Sequence, residues 1–426
     1  MTKGITEMNS NNKIKAAVAG LGGRGSGMME LFIDVEGVEV AAVCDPYQDR
    51  ADRAGTRASQ LQGDKKVNVY YDHKAMFEAE KNLDCVLITS SWATHSLIAV
   101  EAMRHGVFPA MECGGGCSVN ESWTLVRVSE ETGIPCMFLE NCCYGREEMT
   151  LLRMIKAGMF GEMIHAQGGY EHDLRSEVAY GRENRHYRFD NYKNRCAEIY
   201  PAHALGPIMK YLSINRNNRM VSLTSTASKA RGLHEFIMRE KGADYDASHF
   251  DFKQGDIVTT VIKCANGETV VLTHDTTLPR PYSRGGRIQG TKGIWMEDTY
   301  SLYIEGLSKN HDTWEKFGDY INSPDYEHPL WGEFRTSGVK GGHGGMDYLV
   351  LAAFADAVIN KKTPPIDVYD AAVLLAVSAL SEESIMLGSA PVAIPDFTDG
   401  KWIKREAPAV SKFALDDVYL DRYDAK

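Results

Sequence analysis

At 426 residues the chain is too long for one ordinary hydrophobic core, so two domains are expected. With 43% hydrophobic and 25% charged residues it has the composition of a soluble globular protein, and it holds no apolar run long enough to span a membrane. The net charge of −11 argues against a nucleic-acid surface. The nine cysteines form no regular framework, and Cys44, Cys85, Cys136 and Cys264 sit inside apolar runs. Reduced thiols, no metal site and a cytoplasmic location are therefore the expectation, and the first twelve residues are polar with no apolar signal core.

Residues 13–150 read as alternating strands and helices, the pattern of an N-terminal dinucleotide-binding domain. The first apolar run, 14–19, is a buried strand. It leads into Gly20-x-Gly22-x-x-Gly25 and a helix over 26–32. Gly20 permits the tight turn, Gly22 lets backbone approach a pyrophosphate, and Gly25 lets helix and strand pack closely. A second strand, 38–44, ends in Asp45, where an acid suits the adenosine ribose hydroxyls and disfavours a 2′-phosphate, so NAD is expected rather than NADP. Further strands are expected at 67–71, 83–89, 107–111 and 136–139, with helices over 49–62, 73–80, 96–105 and 119–132. Ligands in such sheets bind beyond the carboxyl ends of the strands, which singles out 20–25, Asp45, 90–95, 112–116 and 140–144.

The periodicity changes in 151–426, the expected second domain. After a helix over 147–156, the segments 163–170, 220–227, 257–264, 269–276 and 286–289 read as strands, with Asn266-Gly267 as a hairpin turn. Apolar helices follow over 346–359 and 368–386, split by Pro364-Pro365, and 301–345 reads as irregular. The fold class is α/β: a Rossmann domain plus an α+β domain built on an open antiparallel sheet, one face of which can meet a ligand.

The second domain carries a dense chemical cluster. Tyr200 and His203 are three apart, and Pro201 between them can start a helix whose first turn points both at one site. A His and a Tyr beside a nicotinamide suit hydride transfer, because an alcohol must lose its proton as the hydride leaves. Arg188 and Arg175 can bind hydroxyl or acyl oxygens, and Tyr282, in the rigid loop after a strand, offers another phenol. His95 with Trp92, and Glu112 with the glycines after it, should lie near the cofactor, whereas His343 reads equally well as a helix-start residue.

The marks Gly-Leu-Gly-Gly-Arg-Gly25, Trp92-x-x-His95, Glu140-Asn141, Gly-Gly-Tyr170, Tyr-Pro-Ala-His203, Pro-Arg-Pro-Tyr-Ser-Arg284 and His-Gly-Gly-Met-Asp-Tyr348 resemble the Gfo/Idh/MocA oxidoreductase family. Within it the chain looks most like glycoside hydrolase family 109, the NAD-dependent α-N-acetylgalactosaminidases, from about residue 13 to residue 387. The resemblance implies NAD contacts at Gly23, Arg24, Asp45, Trp92 to His95, Glu112, Cys113, Asn141 and Tyr200. It implies sugar contacts at Tyr170, Arg188, Tyr200, Pro201, Ala202, His203 and Tyr282, with His203, Tyr200 and Tyr170 as the catalytic groups, and a homodimer or larger assembly. Three features depart from the pattern. Glu112-Cys113-Gly114 replaces the Glu-Lys-Pro of many sugar dehydrogenases, so a catalytic lysine is missing; an export signal is not evident; and Ala202 stands where the family has Thr.

The implied chemistry is redox-neutral hydrolysis. Oxidation of C3 to a ketone acidifies the C2 proton, the aglycone leaves by elimination, water adds to the enone, and C3 is reduced again. The alternative is a sugar or 3-keto-glycoside oxidoreductase or lyase on the same site; a nucleotide-bound sugar sensor is a third reading.

Overall fold

The computed structural model describes residues 13–405 and 411–416. Its first sheet has six strands: β1 (Ile14–Ala19), β2 (Val38–Cys44), β3 (Asn68–Tyr70), β4 (Cys85–Ile88), β5 (Phe108–Met111) and β6 (Met137–Phe138). All pairings are parallel, in the order β3-β2-β1-β4-β5-β6. The order reverses between β1 and β4, and the glycine turn opens into the crevice there. Helix Gly23–Ile33 starts three residues earlier than its apolar pattern indicates, so Gly23, Arg24 and Gly25 form its first turn.

The second sheet has nine strands: β7 (Met163–Glu171), β8 (Met220–Ala227), β9 (Ile257–Cys264), β10 (Thr269–Asp275), β11 (Arg287–Gly290), β12 (Gly293–Met296), β13 (Ser301–Ile304), β14 (Glu315–Lys316) and β15 (Val392–Ala393). They run β14-β13-β12-β11-β7-β10-β9-β8-β15. The expectation of an antiparallel sheet needs one correction: β7 and β10 pair in parallel, which makes the sheet mixed. Alternating apolar and polar residues fix which face of a strand is buried but not the direction of its neighbour. Here the Asn266-Gly267 hairpin sets β9 against β10, and β7 joins β10 from a remote part of the chain. The region expected to be irregular also holds β13, β14 and the helices Phe317–Ile321 and Pro329–Ser337.

In β9 the inward Val258, Thr260 and Ile262 are buried while Thr259, Val261 and Lys263 are exposed. Helix Ala202–Tyr211 covers the inner face at β7, and helix Val368–Met386 covers it at β8. Helix Met346–Ile359 returns to the first sheet, where Phe354 stacks on Phe32 at 5.7 Å and meets Phe108 edge-on at 5.3 Å. All nine cysteines are free thiols, and only Cys117 is exposed. No helix among the described residues is long and apolar enough to cross a membrane.

A buried charge cluster locks helix Ala202–Tyr211 to helix Val368–Met386. Lys210 Nζ lies 2.7 Å from Asp370 Oδ2, Asn215 donates to Asp370 Oδ1 at 2.9 Å, and Arg216 pairs with Asp367 at 3.0 Å. Removing one partner strands a buried charge, so Asp370→Asn is expected to lower stability by about 3 kcal/mol in urea unfolding. A change under about 1 kcal/mol would show that the cluster is not held dry.

Candidate active site

A cleft of about 820 Å³ lies between the two sheets' loops. One wall is the glycine turn, Asp45 and Glu112; the other is a strap, residues 181–190, from the second domain. The turn has the shape a dinucleotide requires. Gly20 has φ +95°, and a Cβ there would stand 2.3 Å from the Ser90 nitrogen; a Cβ on Gly25 would stand 2.0 Å from the Gly20 oxygen. A Cβ on Gly22 would meet nothing nearer than an Arg50 nitrogen at 3.6 Å, and one on Gly23 would meet nothing within 4 Å, so the space beyond them is open to a ligand. Asp45, almost fully buried, accepts the N–H groups of Leu21 (2.7 Å) and Tyr47 (2.9 Å), which fixes the turn and holds the carboxylate at the carboxyl end of β2.

The strap is clasped to the first domain. Arg185 makes a two-pronged ion pair with Asp49 (2.9 and 2.8 Å) and lies over the Tyr47 ring at 4.5 Å; Arg50 donates to the Asn184 carbonyl at 2.9 Å. No motif flagged these contacts, because they join residues more than a hundred positions apart.

Several residues expected to touch NAD are committed to one another. Arg24 donates to Glu112 (2.7 Å) and, through two nitrogens, to Asp347 (2.6 and 2.9 Å). Asp347 also receives Asn141 Nδ2 at 2.7 Å and His343 Nδ1 at 2.8 Å. Burial opposes its charge, but the hydrogen bonds from His343 and Arg24 outweigh that cost and hold the carboxyl well below the usual range. His343 therefore belongs to the network, and the helix it precedes is tied to the glycine turn. His95 lines the cleft, but its nitrogens face the carbonyls of Gly114 (3.2 Å) and Ser90 (2.9 Å), so it braces two loops. Trp92 packs against Gly114, where a Cβ would stand 2.0 Å from its Nε1.

The catalytic candidates converge. Trp92 stacks on Tyr200 with centroids 5.6 Å apart, Tyr170 lies 4.6 Å from Tyr200, and the His203 ring is 5.0 Å from Tyr200 and 5.5 Å from Tyr170. The Arg188 guanidinium sits over Trp92 (5.0 Å), Tyr200 (5.1 Å) and Tyr170 (5.9 Å), and its Nε is 2.7 Å from Glu177. Arg188 Nη1 is buried without a hydrogen-bond partner among the described residues, as a cation awaiting a ligand oxygen would be. Tyr170 Oη is 3.2 Å from His172 Nδ1, and Tyr282, half exposed, stands at the rim 5.1 Å from the His172 ring. Pro201 precedes helix Ala202–Tyr211 and Ala202 is buried at its start, so both shape the backbone. Arg175 pairs with Asp173 and stacks on Phe236, outside the cluster.

The sequence names Glu140 at a strand end and in the Glu140-Asn141 mark but gives it no role. This fully buried carboxylate accepts His203 Nδ1 at 2.9 Å, the Cys113 thiol at 3.1 Å and the Cys142 N–H at 2.9 Å. Burial pushes its pKa up, but the neighbouring His203 and these hydrogen bonds bring it below the ordinary value. His203 Nδ1–H donating to Glu140 leaves Nε2, 3.5 Å from Tyr200 Oη, as the free acceptor. Cys113, Glu140 and His203 also present donor atoms within 4.8 Å of one another, an approach that these hydrogen bonds account for without a metal.

Residues 144–404 match the family model described as the glycosyl hydrolase 109 C-terminal domain, and 14–112 match the oxidoreductase family's NAD-binding Rossmann fold. The chain is 41% identical to an alpha-N-acetylgalactosaminidase of Tannerella forsythia, covering 93% of this chain and 89% of that one. The chain belongs to glycosyl hydrolase family 109. A family 109 protein of Stenotrophomonas maltophilia is 39% identical, with 96% and 93% of the two chains covered. Among solved structures, an Agrobacterium radiobacter oxidoreductase in complex with NAD+, L-tartaric acid and magnesium superimposes with TM-score 0.64 at 18% identity (89% and 98% covered), which shows the shared fold. A Lactobacillus plantarum myo-inositol 2-dehydrogenase does so with 0.62 at 16% (90% and 100% covered). The chain is an NAD-dependent glycosidase with a Rossmann domain.

If the strap retains the cofactor, Arg185→Ala should speed NAD loss about two- to five-fold, the scale of an exposed ion pair, measured by dialysis of the holoenzyme. An unchanged rate would remove the clasp from the cofactor site.

Proposed function

We propose that this family 109 enzyme hydrolyses an N-acetylgalactosaminide or a related glycoside by transient oxidation of C3, elimination of the aglycone, addition of water and re-reduction. The substrate reading rests on the Tannerella forsythia relative's name. The mechanism rests on one observation: Glu140, His203 and Tyr200 form a string of contacts, with Tyr170 and Arg188 packed beside it. Bound NAD supplies the redox chemistry at C3.

His203 takes the C3 hydroxyl proton on Nε2, and the buried Glu140 charge stabilises the imidazolium that results. Tyr170 is the better C2 base of the two tyrosines. Burial is the largest influence on both phenols and raises both, but on Tyr170 the Arg188 charge comes next and opposes it, whereas on Tyr200 the nearby Cys113, Tyr170 and Glu112 raise it further and Arg188 ranks behind them. Tyr200 thus stays protonated and can donate to a substrate oxygen. The carboxylates that end β5 and β6 do not form a conventional glycosidase pair: Glu112 is bound to Arg24, and Glu140 is buried against His203. The outer sheet face, on which Thr259, Val261 and Lys263 of β9 are exposed among the described residues, is the surface through which we propose that a homo-oligomer forms.

Turnover of nitrophenyl α-N-acetylgalactosaminide in heavy water should release nitrophenol, place deuterium at C2 and accumulate no NADH. Steady NADH growth would favour the oxidoreductase alternative, and product without C2 deuterium would rule out the elimination. His203→Ala should lower kcat by about 10²–10⁴-fold with NAD still bound; near-wild-type turnover would refute its role.

A further inference from the structure

Behind the tyrosine wall lies a titratable pair that no step above uses. Glu198 and His274 are both completely buried, with Glu198 Oε1 3.7 Å from His274 Nδ1. Neither Glu198 oxygen nor His274 Nδ1 has a hydrogen-bond partner among the described residues. On its other side, His274 Nε2 is 3.1 Å from Thr276 Oγ1, which is 2.7 Å from Tyr192 Oη. Tyr192 belongs to helix Arg188–Asn194, the helix that begins with the site's buried arginine. Glu198 stands two residues before Tyr200.

The protonation states follow from the surroundings. The charged and titratable groups packed around the pair are Arg188 and Tyr192 from helix Arg188–Asn194 and Tyr170 from β7; helix Val368–Met386 offers Ser381 Oγ, which accepts the Glu198 N–H at 2.7 Å, while its Glu382 is turned to Arg195. A dry carboxylate with no cation beside it costs several kcal/mol. His274 cannot serve as that cation, because burial and then the Arg188 charge push its pKa down to about 3. Burial correspondingly pushes Glu198 up to about 8. Both groups are therefore neutral near pH 7, and Glu198 carries the proton.

We propose that Glu198, as the neutral acid, and His274 are positioning residues for the reaction: the Glu198 carboxyl packs against His274 Nδ1 at 3.7 Å and holds the ring so that its Nε2–H donates to Thr276, which in turn holds Tyr192 on the helix that begins with Arg188. The inference rests on the roles given above to Arg188, Tyr170 and Tyr200. It asks of Glu198 a proton rather than a charge, which separates it from the usual buried ion pair.

The test is a series in the NAD-loaded enzyme, followed by kcat and KM against pH with NAD content as a control. Glu198→Gln keeps the shape and the neutral charge. It is expected to hold kcat at pH 7 within about three-fold of wild type and to abolish the fall in kcat expected of wild type as Glu198 loses its proton above about pH 8. Glu198→Ala and His274→Asn should each lower kcat at least ten-fold with NAD content unchanged. A Glu198→Gln enzyme as poor as Glu198→Ala at pH 7, or one with the wild-type alkaline fall, would overturn the proposal. A second arm is independent of turnover and so of the proposed mechanism: ¹⁵N spectra of histidine-labelled protein, with His274 assigned through His274→Asn. Signals that keep the neutral Nε2–H form from pH 5.5 to 8.5 support the pair; titration near the ordinary histidine value refutes it.

Discussion

One buried charge organises this active site. The Glu140 carboxylate, sealed from solvent at the end of β6, is kept ionised by an imidazole, a thiol and a backbone N–H. Such a charge is tolerated only when its partners are held in place, because an uncompensated carboxylate in a dry interior is worth several kcal/mol of penalty. The requirement propagates outward. It fixes the His203 tautomer, sets Nε2 toward Tyr200, and explains why a thiol at Cys113 occupies the position after Glu112: a lysine there would bring a second, competing cation to a carboxylate already serving His203.

The same economy holds at the other end of the cleft. Arg24, Asp347, Asn141, His343 and Glu112 satisfy one another, so the glycine turn, the ends of β5 and β6 and a helix near the end of the chain are fixed as one unit. A dinucleotide laid against that unit would meet preorganised backbone, with the clasped strap as the facing wall of the cleft. In the proposed redox-neutral cycle the cofactor ends in the oxidation state in which it began, and a clasped cleft suits that use.

Much of this was legible in the residues. The strand, glycine turn, helix, strand and acid in 14–45 encode the cofactor crevice locally, because each step of the motif has its own steric or electrostatic demand. The Tyr200–His203 spacing likewise predicts their convergence, although Tyr200 sits just ahead of the helix rather than on it. What was not legible depends on contacts distant in sequence. The parallel pairing of β7 with β10, the union of Arg24 with Asp347 and the docking of Arg185 on Asp49 leave no periodic trace. Glu140 sat in a flagged strand end, yet only the structure shows that its partner is His203. His95 is the opposite case: a histidine in the right place whose nitrogens are spent on carbonyls.

The most direct test of a reaction built around His203 and its buried carboxylate uses a glycoside carrying deuterium at C3. The account predicts a primary isotope effect on turnover together with full retention of the label in the released sugar, because the bond at C3 breaks and is remade within one site. Release at the same rate for labelled and unlabelled substrate, or loss of the label from C3, would contradict it.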